Sequence, residues 1–227
     1  LTAAAVAMSN RLPMLFLPGD TYANRMPDPV LQQVEHFNNP NITQNDAFKY
    51  VTRYFDRITR PEQILQTLPH AIQTMIDPAD CGPACISLSQ DVQGETFDYP
   101  EEFFKEKIHT IRRPRPDDYQ IKQAADLIKK SKNPIIISGG GIFYSDAMKE
   151  LSQFAKKHNI PTAQTVMGYS TMKKDDPYFL GAIGGFGGKA PNDFMKKTDL
   201  AIAVGTKLAD FTTGSWSNFE NPNFKLV

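Results

Sequence analysis

Three glycine clusters are the residues best suited to chemistry: Gly139-Gly140-Gly141, Gly181 to Gly188, and Gly205. A glycine turn after a strand lets backbone amides approach an anion, and a following helix adds its positive end. Two phosphate motifs can be tested directly. Gly139-Gly140-Gly141-Ile142-Phe143-Tyr144 supplies the first two glycines of G-x-G-x-x-G but has Tyr144 at the third. The acidic residue expected about 20 positions on is missing. That region holds Asn159, Thr162 and Gln164 instead. A nicotinamide dinucleotide site is therefore not expected. Gly184-Gly185-Phe186-Gly187-Gly188-Lys189 resembles a P-loop, but Ile183 occupies the first glycine position and Ala190 the metal-binding hydroxyl position. Gly139, Gly140, Gly141, Gly184 and Gly205 remain candidates for contacts to another nucleotide, with tight packing turns as the competing reading.

Other reactive residue types form no set. His36, His70, His109 and His158 share no ligand spacing, so no metal site is expected. Cys81 and Cys85 are spaced C-x-x-x-C, which misses both the redox C-x-x-C and the usual zinc pairs; reduced, structural thiols are expected. Ser87 and Ser89 lack a G-x-S-x-G elbow. Asp20 and Asp91 each follow an apolar run, where an active-site carboxylate can stand. Trp216 reads as packing.

The elements that must position these residues alternate. In the first region, Thr2 to Met8 reads as turns of a helix, Met14 to Leu17 as a buried strand, and Asp28 to Asn45 as loop with a short helical piece. Phe48 to Ile58 and Pro61 to Ile76 carry helical periodicity, the latter with a kink at Pro69, and Ala84 to Leu88 is a second buried strand. Arg112-Arg113-Pro114-Arg115-Pro116 reads as a solvated linker. Asp117-Asp118 caps a helix whose Ile121, Ala124, Ala125 and Ile128 share a face. Strand Ile135 to Ser138 and the glycine turn follow. Next come a helix Asp146 to His158 with Ala147, Leu151, Phe154 and Ala155 inward, and a strand Thr162 to Val166. The glycine loop 181 to 188, a short helix Asn192 to Lys197 and strand Leu200 to Val204 complete the order, and Asn223 to Val227 reads as a strand just starting. This alternation predicts an α/β fold, a parallel sheet flanked by helices with right-handed crossovers.

Composition narrows the class. The 227 residues carry 25 basic and 25 acidic side chains, so no basic field exists to collect nucleic-acid phosphates. No apolar run approaches the roughly 20 residues of a membrane span. Leu1 to Asn10 lacks a basic n-region, so no signal peptide is read and the cytoplasm is the default compartment. A first residue other than Met and a last one inside an apparent strand suggest a fragment of a longer protein.

Four stretches together resemble a known family: Asn133-Pro134-Ile135 to Gly141, Ile160-Pro161-Thr162 with Met167-Gly168, Leu180 to Gly184, and Asp199 to Thr206. Their order and spacing are similar to the central domain of thiamine diphosphate-dependent enzymes, a group that includes acetolactate synthase. The resemblance implies a Rossmann-like central domain at residues 114–227. Residues 1–113 resemble the C-terminal part of the pyrimidine-binding domain that precedes it, with Arg11-Leu12-Pro13 to Gly19 and Gly82 to Val92 as two of its strands. Leu17 to Arg25, Asp28 to Gln33 and Ser87 to Glu95 resemble the branch that hydrolyses a C–C bond in a cyclic 1,2-diketone during inositol breakdown.

The resemblance implies thiamine diphosphate as electron sink, Mg2+, a small cyclic diketone substrate, and a homodimer or homotetramer at full length. It places the activating glutamate and the Gly-Asp-Gly…Asn metal motif outside these 227 residues, so the fragment itself is expected to be inactive and to bind no thiamine diphosphate. Gly19, Asp20 and Arg53 then become candidates to line the substrate approach. FAD or ADP is bound by the central domain in some relatives. The alternatives are acetolactate synthase-like carboligase or decarboxylase chemistry, or a non-catalytic nucleotide-binding module.

Overall fold

The structure is a computed structural model describing residues 1–24 and 38–227. Arg25, the Asp28 to Gln33 stretch, His36 and most of the expected loop from Asp28 lie outside the described residues. The chain divides into two compact units, Leu1–Arg112 and Arg113–Val227.

In the first unit, helix α1 (Thr2–Asn10) ends at Arg11 in the left-handed region. Strands β1 (Leu15–Phe16) and β2 (Gly19–Asp20) follow, then a 3-10 helix Gln44–Tyr50, β3 (Tyr54–Ile58), α2 (Ile64–Ile76) and β4 (Ala84–Ser89). All three other strands pair parallel with β4. Leu15 opposes Ala84 and Asp20 opposes Ser89, the same offset, so β1 and β2 are one extended run interrupted at Leu17-Pro18. The Pro18 carbonyl still accepts from Leu88, which keeps the register across the break.

The side-chain period of 2 divides this sheet. Ala84 and Ile86 of β4, with Tyr54 and Ile58 of β3, pack under α2 through Leu68 and Ala71. The opposite face carries Phe16, Cys85, Ser87, Phe55 and Arg57 and lies against the 3-10 helix, with Phe48 on Phe16 and Lys49 over Phe55.

Two expectations change here. Phe48 to Ile58 is not a helix: its second half is β3, bonded to β4 at five positions from Tyr54↔Ala84 to Ile58↔Leu88. Met14, Leu15 and Leu17 are exposed rather than buried. Helix α2 runs through Pro69 without a break.

The second unit opens with α3 (Asp118–Lys130), whose cap Asp117 accepts from the amides of Tyr119 and Gln120. The rest alternates: β5 (Pro134–Ser138), α4 (Gly141–Tyr144), α5 (Met148–His158), β6 (Thr162–Gln164), β7 (Phe179–Ala182), α6 (Lys189–Lys197), β8 (Leu200–Val204), α7 (Asp210–Thr213) and β9 (Lys225–Leu226). The sheet order is β7-β6-β5-β8-β9, parallel throughout.

Each central strand feeds both faces. Ile136, Leu200 and Ile202 pack with Leu151 and Ala155 of α5 and Leu127 and Ile128 of α3. Ile135, Ile137 and Ala201 pack with Met195 of α6. A two-sided apolar strand is the mark of a doubly wound parallel sheet, and the strand order reverses between β5 and β8.

Local departures have local causes. The helix after the glycine turn is the single turn α4, with α5 starting separately. Phe154 is partly exposed and lies against His158 rather than in the core. Ile121 is likewise exposed. Phe179 to Ala182 pairs with β6, so a strand occupies the start of the expected loop. Its register shifts between Thr162 and Ala163, and Gly181 sits there at φ 109, a value that L side chains rarely adopt.

Candidate functional site

Ligand sites of parallel α/β sheets lie beyond the carboxyl ends of the strands. In the first unit that edge carries a connected polar set. Asp20, at the end of β2, is fully buried. Its Oδ2 accepts from Arg57 Nε at 2.6 Å and from Ser87 Oγ at 2.5 Å, and its Oδ1 accepts from the Thr21 amide at 2.8 Å. Arg57 reaches on with its NH2 nitrogen to Thr43 Oγ1 at 2.9 Å and Asp46 Oδ2 at 3.1 Å. Asn45 Nδ2 donates to Ser87 Oγ and to the Gly19 carbonyl. Lys49 closes the set on Asp46 at 2.6 Å.

The 3-10 helix presents these side chains because its cap fixes it. Thr43 accepts from the Asn45 amide, and Asp46 accepts from the Thr43 amide at 2.7 Å. Two carboxylates thus face two cations across the end of β4. Burial works against the Asp20 charge, but Ser87 and Arg57 outweigh it and hold its carboxyl below the usual range. Burial likewise opposes the Arg57 charge, and Asp20 more than restores it. These bonds join members of the set to one another, and Asp20, Thr43, Asn45 and Ser87 are buried, so the array braces the ends of β2, β3 and β4.

The structure brings Gly19 and Asp20 into this set. Arg53 is elsewhere: it precedes β3 at the opposite edge of the sheet, its NH1 nitrogen pairs with Asp80 at 2.7 Å, and its stem packs on Gly82. Arg57 lies four positions further along the extended chain, about 13 Å away at ~3.3 Å per residue. The arginine that meets Asp20 is Arg57, which sequence reasoning missed. Reading Tyr54-Phe55-Asp56-Arg57-Ile58 at a period of 2 would have placed Arg57 on one face with Phe55. Asp91 binds the Ala23 and Asn24 amides.

In the second unit Gly139, Gly141 and Gly205 meet at the strand reversal. Gly184 lies apart, its amide donating to Asn192 Oδ1 and its Cα against Phe211. Gly140 faces Met167. Cys81 and Cys85 are free thiols, and burial pushes the Cys85 thiol up to about 12. Among the described residues no group of three or more His, Cys, Asp or Glu is placed to hold a metal ion, and no helix is long and apolar enough to cross a membrane.

Comparison with known proteins gives a family and a set of relatives. Residues 121–227 match the profile of the thiamine pyrophosphate enzyme central domain. All 227 residues align at 50% identity with a 3D-(3,5/4)-trihydroxycyclohexane-1,2-dione hydrolase of Clostridium botulinum, and at 49% with that of Clostridium perfringens. A hydrolase of the same name from Listeria monocytogenes is 48% identical over the same length. The chain spans about 35% of the length of these curated relatives. Residues 121–227, with this sheet and this profile match, form a thiamine pyrophosphate enzyme central domain.

Proposed function

We propose that the chain is part of a thiamine diphosphate-dependent hydrolase that opens trihydroxycyclohexane-1,2-dione to 5-deoxyglucuronate by breaking a carbon–carbon bond. The observation that carries this reading is identity at about half of all 227 positions to hydrolases of that name. In this reading residues 1–113 are the later part of a pyrimidine-binding domain and 114–227 the central domain. The complete enzyme would be a cytoplasmic homodimer or homotetramer using Mg2+.

The bound cofactor supplies an electron sink for bond cleavage. The residues of this chain do not fit a diphosphate–metal site: the sequence contains no Gly-Asp-Gly stretch, and its described residues offer no metal-ligating group. The chain's contribution in this reading is the polar edge of the first unit. Asp20 fixes the Arg57 guanidinium, and Asn45, Thr43, Asp46 and Lys49 complete the network that braces this edge. Arg53, paired with Asp80 at the opposite edge of this sheet, is not part of that polar edge.

The test is turnover by the complete protein supplied with thiamine diphosphate and Mg2+. Formation of the open-chain deoxyglucuronate from the cyclic dione is expected. Turnover of pyruvate with none of the dione would overturn the proposal in favour of synthase-type chemistry.

A further inference from the structure

The family resemblance implies FAD or ADP on the central domain in some members, and an open parallel sheet would offer it the strand reversal. The residues present do not fit that ligand. Phosphate binding at such a point needs free backbone amides at the head of a helix. Here the Gly139 amide donates to the Val204 carbonyl and the Gly141 amide to the Gly205 carbonyl, each at 2.9 Å. Both donors are spent inside the fold. The helix they introduce, α4, is four residues long.

The contacts explain the glycines without a ligand. A Cβ on Gly141 would stand 2.6 Å from the Gly205 Cα, and one on Gly205 would stand 2.7 Å from the Gly141 Cα. A Cβ on Gly139 would stand 2.5 Å from the Thr206 Cβ and run into the Gly205 carbonyl. Gly205 also sits at φ 63, in the left-handed region. From the β6 side, a Cβ on Gly168 would run into the Ser138 carbonyl. The turn after β6 is self-contained as well, with Gln164 Oε1 accepting from the Ser170 amide where a dinucleotide site would keep a carboxylate for ribose.

We infer that Gly139, Gly141, Gly168 and Gly205 form a backbone clasp that ties together the loops leaving β5, β6 and β8, and that this unit takes no FAD or ADP phosphate at its strand reversal. The inference is independent of the reaction proposed above.

Amide hydrogen exchange of the chain, resolved by NMR, tests it with and without millimolar ADP or FAD. The Gly139 and Gly141 amides are expected to be protected in the free chain like those of β5, and unchanged by either nucleotide. Fast exchange in the free chain, or a change in protection when ADP or FAD is added, overturns the inference. Thermal unfolding gives a second reading. Gly205→Ala is expected to lower the midpoint by roughly 5 °C or more, and neither nucleotide is expected to raise the wild-type midpoint. An unshifted variant midpoint, or a nucleotide-dependent rise lost in the variant, counts against the clasp. If Gly205→Ala does not fold, wild-type exchange decides alone.

Discussion

Asp20→Asn probes the polar edge of the first unit most directly. The side chain keeps its size and loses its charge. Asp20 is 0% exposed, and among the described residues it accepts from Arg57 Nε, Ser87 Oγ and the Thr21 amide. Removing one partner of a buried ion pair costs about 3–5 kcal/mol, because the other charge stays desolvated. The Arg57 side chain retains 23% exposure and a second partner in Asp46, and an asparagine oxygen can still accept one bond. Those offsets put the expected loss at the low end, about 3 kcal/mol, or a midpoint lower by roughly 10 °C for a unit of this size.

The pH dependence has a definite sign. The folded Asp20 carboxyl lies below its usual range, so its stabilisation is fully present above the unfolded value of about 3.9 and is lost as pH falls through the folded value. Wild type and variant should therefore differ at neutral pH and converge in acid. Urea unfolding followed by far-UV circular dichroism is the assay. Trp216, the sole tryptophan, lies in the second unit, so its emission follows that unit and the dichroism carries the signal. An unchanged midpoint at neutral pH, or a gap that widens in acid, would refute the reasoning.

Further outcomes follow from the same contacts. Asp199 accepts from Ser131 Oγ and from the amides of Lys132 and Asn133. Asp199→Ala should destabilise the second unit by about 2 kcal/mol, read by Trp216 emission in urea. Burial opposes its charge but Ser131 and the two amides prevail, so this stabilisation too should fade below about pH 4; a loss that stays constant into acid would contradict it. Cys85 is fully buried with its thiol pushed up to about 12, so iodoacetamide at mildly alkaline pH should label it only after unfolding. Mass spectrometry of the folded chain decides, and rapid Cys85 labelling would show that the β4 core opens.

Much of the fold is local. Ile135, Ile136 and Ile137 can only form a strand buried on both faces, and Leu200 to Val204 repeats the pattern beside it. Helix α3 follows from its Asp117 cap. β3 was not legible. Phe48, Val51, Phe55 and Ile58 are spaced as on a helix, yet Phe55 faces the 3-10 helix and Ile58 faces the α2 side. Pairing with β4 overrode the local period. β7 was hidden for a similar reason, since its Gly181 reads as loop until β6 supplies a partner.

The amino-acid order by itself determined the class of sheet, its central strands and the family resemblance, because those rest on runs and spacings within one element. The tertiary structure alone decided which groups meet. Asp20 finds Arg57 37 positions away and Ser87 67 positions away, across strands whose order no local pattern encodes. The glycine turn after β5 marks the strand reversal in the sequence. Only its contacts with Gly205 distinguish a clasp from a cradle, since glycine permits close approach of a backbone and of a ligand equally well.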